Sequence, residues 1–272
     1  MKTLKRILAA TTLLVTLGFA SEANAQVPLE NFFKNPEKAG YQISPDGKYF
    51  SYMAPYENRL NLFVQEVGSD KATRITSETV RDLAGSMWAN GHRILYIKDT
   101  AGDENFQLYG VNVDGTDSKA YTAFPKVRTT IIDPLENIDS LVIIGLNKRN
   151  PQVFDPYRLN LNNGELTQLA ENPGNIQGWM TDHNGKLRVA LAIVDGVNTQ
   201  ILYRETEEQP FRPVLTTNFK ETVSFATFTP DNKMVYALTN IGRDKTALVL
   251  MDPATCEEKE YFTPMINMIF PD

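Results

Sequence analysis

The sequence predicts an all-β fold, a β-propeller of four-stranded antiparallel blades in which about five blades are visible. Three observations predict it. A strand–turn–strand pattern recurs along the chain at a spacing of 44 to 48 residues, in the range that marks propellers among all-β repeats. A second hairpin pattern recurs between those copies. Nothing in residues 41–262 sustains a 3.6-residue apolar period over three turns, and Gly and Pro interrupt the chain too often for long helices.

The first 25 residues are set apart from the fold. Lys2, Lys5 and Arg6 form a basic start, and residues 7–20 are apolar. Ala23-Asn24-Ala25 fits the small-x-small rule, which places signal-peptide cleavage between Ala25 and Gln26. An apolar run of 14 residues is short for a bilayer span, which needs roughly 20. The expected mature chain has 247 residues, is periplasmic or secreted, and has no membrane association after signal removal. Residues 26–40 form an entry segment, with a short helix or an extended run broken at Pro36.

The opening hairpin of each repeat follows. In "SPDGKYFSYM" (44–53), Pro45 presets φ, Asp46 caps its own backbone and Gly47 accepts positive φ. "WANGHRILYI", "DPLENIDSLVIIGL", "TDHNGKLRVALAI" and "TPDNKMVYALT" repeat the pattern, the third copy with a longer turn. The second hairpin is carried by "LNLFVQEVGSDKATRIT", "FQLYGVNVDGTDSKAYT", "DPYRLNLNNGELTQLA", "TQILYRETEEQPFRPVL" and "TALVLMDPATCEEKEYF". Each alternates apolar positions, turns on Gly, Asp or a polar run, and ends in a short strand. Two hairpins make a blade, giving repeats over 41–84, 85–128, 129–174, 175–220 and 221–262, with 263–272 as an atypical tail. Five blades of a larger design leave an open arc with two unpartnered radial faces, so the propeller is expected to be incomplete. Trp88 and Trp179 occupy near-equivalent places before their turns and read as blade-packing residues.

Charge and cysteine content narrow the function. Removing the first 25 residues takes away three positive charges and one negative, moving the formal charge from −6 to −8. An acidic surface opposes nucleic acid and anionic membrane alike, so neither is an expected partner. The single cysteine, Cys256, has no partner for an internal disulfide, and stability falls to core burial.

"ISPDGKYFSYM", "LFVQEVGSDKATRIT", "ILYIKDTAGDENFQLYGVNVDG" and the run from "GLNKRNPQVFDPYRLN" to "HNGKLRVA" resemble the N-terminal propeller of exported prolyl oligopeptidase-family serine peptidases, in the dipeptidyl- or acylaminoacyl-peptidase branch. "GDEN" (102–105) and "NKRNPQVFDPYRLN" (147–160) are its more specific blocks, whereas the "SPDG" turn is shared with TolB-type propellers. The resemblance covers residues 27–262. It implies a C-terminal α/β-hydrolase domain carrying Ser, Asp and His, and this chain departs from it there. "PMINMIFPD" leaves the blade pattern, and the sequence reads as a truncated or fragmentary form.

Catalytic signals are missing from the chain itself. None of the nine serines has Gly two positions before it, so there is no G-x-S-x-G elbow. His92 and His183 sit in hairpin turns, and no triad is expected. No His or Cys pairing has metal-ligand spacing, and no metal or cofactor is expected. The resemblance implies that acidic groups on the propeller hold a substrate's α-ammonium. Asp103, Glu104 and Asn105, with Asp99 nearby, are the candidates, and Lys148 and Arg149 are candidates for a carboxylate or carbonyl. The expected function is a non-catalytic propeller that gates and positions peptide substrates for the hydrolase domain. The alternative is a free-standing periplasmic TolB-like propeller that binds a protein partner.

Overall fold

The computed structural model describes residues 27–264. The predicted signal sequence, its Ala25–Gln26 junction and residues 265–272 of the tail lie outside the described residues. Residues up to Pro36 form a unit of their own, whose described part holds one turn of 3-10 helix at Leu29–Phe32.

Residues from Glu37 onward form the second unit, built from five four-stranded antiparallel sheets in strict chain order. Blade 1 contains β1 (Ala39–Ile43), β2 (Tyr49–Tyr56), β3 (Arg59–Glu66) and β4 (Ala72–Arg74). Blade 2 contains β5 (Gly85–Asn90), β6 (Arg93–Lys98), β7 (Gln107–Asn112) and β8 (Lys119–Ala120). Blade 3 contains β9 (Thr129–Asp133), β10 (Leu141–Asn150), β11 (Val153–Asn160) and β12 (Leu166–Gln168). Blade 4 contains β13 (Ile176–Thr181), β14 (Leu187–Val194), β15 (Asn198–Tyr203) and β16 (Arg212–Thr217). Blade 5 contains β17 (Val223–Phe228), β18 (Val235–Thr239), β19 (Ala247–Met251) and β20 (Glu258–Pro264). These are propeller blades, and among the described residues they carry no α-helix.

The repeated turn has repeated chemistry. In blade 1 the Ser44 hydroxyl donates to Asp46 Oδ1 (2.7 Å) and accepts from Tyr49 N (2.9 Å), while Gly47 N donates to Ser44 O (2.8 Å). In blade 5 Thr229, Asp231 and Met234 reproduce those bonds at 2.6 and 3.1 Å, with Asn232 N bonded to Thr229 O at 2.8 Å. Gly47, Gly185 and Asn232 share the left-handed conformation at φ 71°, 71° and 59°. Only Gly, or Asn at small cost, fits there readily.

Alternation along the strands gives the blades two apolar faces, which neighbouring blades bury against each other. Leu62, Val64, Ile94, Tyr96 and Val111 fill the seam between blades 1 and 2. Leu95, Leu108, Val142, Ile144, Leu146 and Leu159 fill the next seam. Val189, Ile201, Phe228, Val235, Ala237 and Val249 fill the seam between blades 4 and 5. On the far face of blade 1, Tyr41 and Ile43 are 56% and 66% exposed, but the aromatics there cover one another. Tyr52 lies 5.1 Å from Tyr41 and 5.7 Å from Phe63, ring to ring, with the Lys38 ammonium 4.7 Å above it. On blade 5, Tyr236 and Phe262 pair at 6.0 Å.

Candidate functional site

The acidic candidates sit in the loop from Asp99 to Phe106 that joins β6 to β7. Asp103 organises this loop: its carboxylate accepts from Thr100 N (3.2 Å), Asn105 N (3.1 Å) and Asn105 Nδ2 (3.1 Å). Those bonds, led by the one from the Asn105 side chain, hold the Asp103 carboxyl below its ordinary pKa. Asp99 is buried and faces Arg81 Nε at 3.3 Å, and its other oxygen accepts from Glu104 N at 3.2 Å. Ala101, Gly102 and Glu104 all have positive φ, so the loop is tightly wound. The outcome is a division of labour. Asp99, Asp103 and Asn105 are spent on shape, while Glu104 is exposed and its carboxylate has no hydrogen bond or ion pair among the described residues.

The basic candidates divide in the same way. Both lie at the end of β10, where its pairing with β11 shifts register between Leu146 and Asn150. That bulge brings Arg149 over Asp155, a fully buried carboxylate. Arg149 donates from Nε and Nη2 to Asp155 at 2.9 and 3.0 Å, and from Nη2 to Asn172 O at 2.7 Å. Glu171 stands 3.3 Å from Nη1. The Asp155 hydrogen bonds push the guanidinium pKa up. Arg149 therefore clamps its own blade. Lys148 is exposed, with its ammonium 4.5 Å above the Phe124 ring.

The two clusters flank one connector, residues 121–128, between blades 2 and 3. Thr129 N bonds Phe106 O (2.8 Å) on one side, and Arg128 N bonds Asn147 Oδ1 (2.6 Å) on the other. Among the described residues no ion pair or hydrogen bond joins the acidic loop to Lys148 or Arg149.

One expectation needs correction. Trp179 is half-buried and belongs to none of the three apolar clusters. Its ring meets that of Phe211 at a tilt of 55° with centroids 5.6 Å apart, and it lines a cleft of about 460 Å³ between blades 3 and 4. Trp88, in contrast, packs against the seam between blades 1 and 2. The physical difference is what lies opposite. Trp179 is paired across the sheet with Ala190, too small to fill the space before blade 3. Among the described residues, no three His, Cys, Asp or Glu side chains converge as a metal site, and no helix is long and apolar enough to cross a membrane.

No family model matches the chain. It is 31% identical over 232 residues to dipeptidyl aminopeptidase BIII of Pseudoxanthomonas mexicana, covering 82% of this chain and 33% of that protein. It is 26% identical over 268 residues to dipeptidyl peptidase family member 6 of Caenorhabditis elegans, covering 91% and 36%. The chain thus spans about a third of the length of these curated relatives. In three dimensions it is similar to a structure from an analysis of two prolyl endopeptidases, with a TM-score of 0.60 at 12% identity. That match covers 84% of this chain and 35% of the solved one, and it speaks to the fold alone.

Proposed function

We propose a function from one premise, that this chain is a homologue of the N-terminal propeller region of prolyl oligopeptidase-family serine peptidases. The chain is the non-catalytic part of an exported peptidase, and it positions peptides for an α/β-hydrolase domain. The observation that carries this reading is the 31% identity to a dipeptidyl aminopeptidase over 232 residues. An aminopeptidase must read a free amino terminus. Within this propeller, the unpaired Glu104 carboxylate, held outward on a loop that Asp99 and Asp103 wind tightly, is the group suited to receive that ammonium.

The coding DNA read past codon 272 tests the premise for the whole protein. Further blades followed by a G-x-S-x-G elbow are expected, and unrelated sequence after a stop would remove the catalyst and overturn the peptidase reading. In a protein with that domain, Glu104→Gln is expected to raise KM for free-amino dipeptidyl substrates about 10-fold or more, the worth of one charged hydrogen bond. Unchanged KM would take the ammonium role from Glu104. Export is tested by the amino terminus of the mature protein, expected at Gln26.

A further inference from the structure

The seam between blades 3 and 4 holds a cleft rather than a filled core. Its volume, about 460 Å³, is in the range of sites that enclose small ligands, roughly 300–1,000 Å³. Phe154 and Trp179 give it aromatic walls, Ile132 an aliphatic one, and Thr130, Gln152 and Gln177 neutral polar groups. No ionisable side chain lines it. A charged group entering would lose water with no partner of opposite sign, whereas an uncharged one would meet donors and acceptors.

The walls are held in place. Asn172 Nδ2 donates to Phe154 O (3.3 Å) and Ile176 O (3.0 Å), while its Oδ1 accepts from Gly174 N (2.8 Å) and Ile176 N (3.1 Å). Asn172 N is fixed in turn by Asp155 Oδ1 at 2.8 Å, within the Arg149 clamp. Beside two of the lining residues, Gly145 lets Thr130 and Phe154 close in: a Cβ there would stand 2.6 Å from Thr130 Oγ1 and 3.4 Å from Phe154 Cβ. A cavity with walls this constrained keeps its shape without a ligand.

The cleft's edges select the ligand further. β9 and β13, which supply residues 130–132 and 176–179 of the lining, are each hydrogen-bonded to a strand on one side only. Their Cα atoms approach within 8 Å. Ile176 on β13 is already bonded to Asn172 and Thr129 N on β9 to Phe106 O. Beyond them the strand edges offer backbone donors and acceptors spaced for another extended chain, a match that a sugar lacks.

We propose that the cleft between β9 and β13 binds an extended, uncharged peptide segment, with one apolar side chain against Trp179 and Phe154. The segment's amides meet Gln152, Gln177 and a free strand edge. That the segment belongs to a substrate rests on the peptidase reading above; the binding itself does not.

The test is calorimetric titration of the whole chain with acetyl-Gly-Leu-Phe-Gly-amide. Tryptophan fluorescence serves as a second readout, because Trp179 is one of only two tryptophans. Saturable binding is expected, weakened about 5-fold by Gln177→Ala, the worth of one neutral hydrogen bond, and lost in Trp179→Ala. Gln177 is exposed, so its variant stays informative if Trp179→Ala does not fold. Analogues with Lys or Glu in place of Leu are expected to bind at least about 10-fold more weakly. No heat with the neutral peptide, an unchanged Kd in Gln177→Ala, or binding of a neutral tetrasaccharide in its place would overturn the proposal. The two readings fail separately. A hydrolase elbow downstream with no peptide bound sinks only the cleft, and peptide bound with no hydrolase encoded sinks only the peptidase.

Discussion

Blade 3 meets blade 2 across aliphatic side chains and meets blade 4 across guanidinium groups, carbonyls and a cavity, and it uses the same strands for both. Along β10, Val142, Ile144 and Leu146 point to blade 2, while the residues between them, Ile143 and Gly145, take the other face. The second seam is held by polar links. Arg158 Nη2 donates to Gly185 O (2.9 Å) and Glu207 Oε1 (2.7 Å), and Arg204 Nη2 reaches Leu169 O (3.2 Å). Thr181 hydrogen-bonds Asp133 across the same junction. The difference shows how one repeat unit serves two ends. Directional bonds also cross the first seam, from Asn90 Nδ2 to Asp139 O (3.0 Å) and from Tyr121 Oη to Leu161 O (2.7 Å). The contrast therefore lies in the middle: filled with apolar side chains it contributes stability, and left unfilled it has room for a ligand.

Ile144→Ala removes a fully buried side chain from the aliphatic seam and leaves a cavity the neighbouring strands cannot close. A loss of about 3–4 kcal/mol is expected in urea unfolding, with the denaturant slope unchanged. A loss below about 1 kcal/mol would mean that this seam is no better packed than the other.

Gly145→Ala probes the opposite face of the same strand. The added methyl meets Thr130 Oγ1 at 2.6 Å, in a sheet where β9 has little freedom to retreat. The expected cost is about 1–3 kcal/mol from overpacking, smaller than that of Ile144→Ala, with a narrower cleft as its second effect. Neutral-peptide binding should fall along with stability. A stable variant with full binding would show that the close approach of Thr130 and Phe154 at Gly145 does not shape the cleft.

Much of the fold is legible in the sequence, and the reasons are local. Gly47, Gly185 and Asn232 mark their turns because few other residues tolerate positive φ there. The unbroken apolar run "LVIIGL" announces a strand buried on both sides. The candidate site is legible only in part. Nothing local distinguishes Glu104, which stays free, from Asp103, which folds back on its loop. Arg149 reads as a ligand-facing cation because its partner, Asp155, is reached only through the bulge in the β10–β11 register. Trp179 reads as core because its place matches that of Trp88, and the small residue opposite it, Ala190, shows only once β13 and β14 are paired.

The rim of the polar seam adds a pH test. Burial alone would raise the Glu207 pKa, but the hydrogen bond from Leu187 N (3.0 Å), the Arg158 guanidinium and the Lys186 charge outweigh it, and the net direction is down. A carboxyl whose pKa is lower folded than unfolded stabilises the protein fully above its unfolded pKa, about 4.3. That contribution is lost as pH falls through the lower folded value. Thermal stability should therefore decline more steeply below about pH 4.3 in the wild type than in Glu207→Gln. Parallel profiles would remove Glu207 from the list of groups holding this seam.

The smallest effect concerns the third kind of seam, between blades 4 and 5, where Cys256 packs beside the aliphatic cluster. Burial, with the Asp252 charge adding to it, pushes the thiol pKa up to about 11. The thiolate is the form that reacts, so at pH 8 the folded chain presents roughly one part in a thousand of it. Labelling by a disulfide reagent is expected to be slow in native buffer and fast in urea. Fast labelling of the folded chain would mean that blade 5 opens readily from blade 4, although apolar packing and hydrogen bonds from Arg188 to Asn232 O and from Arg212 to Ala254 O both cross this seam. Slow labelling in the wild type that speeds up in Val249→Ala, which removes a buried side chain from the same cluster, would tie that closure to the packing itself.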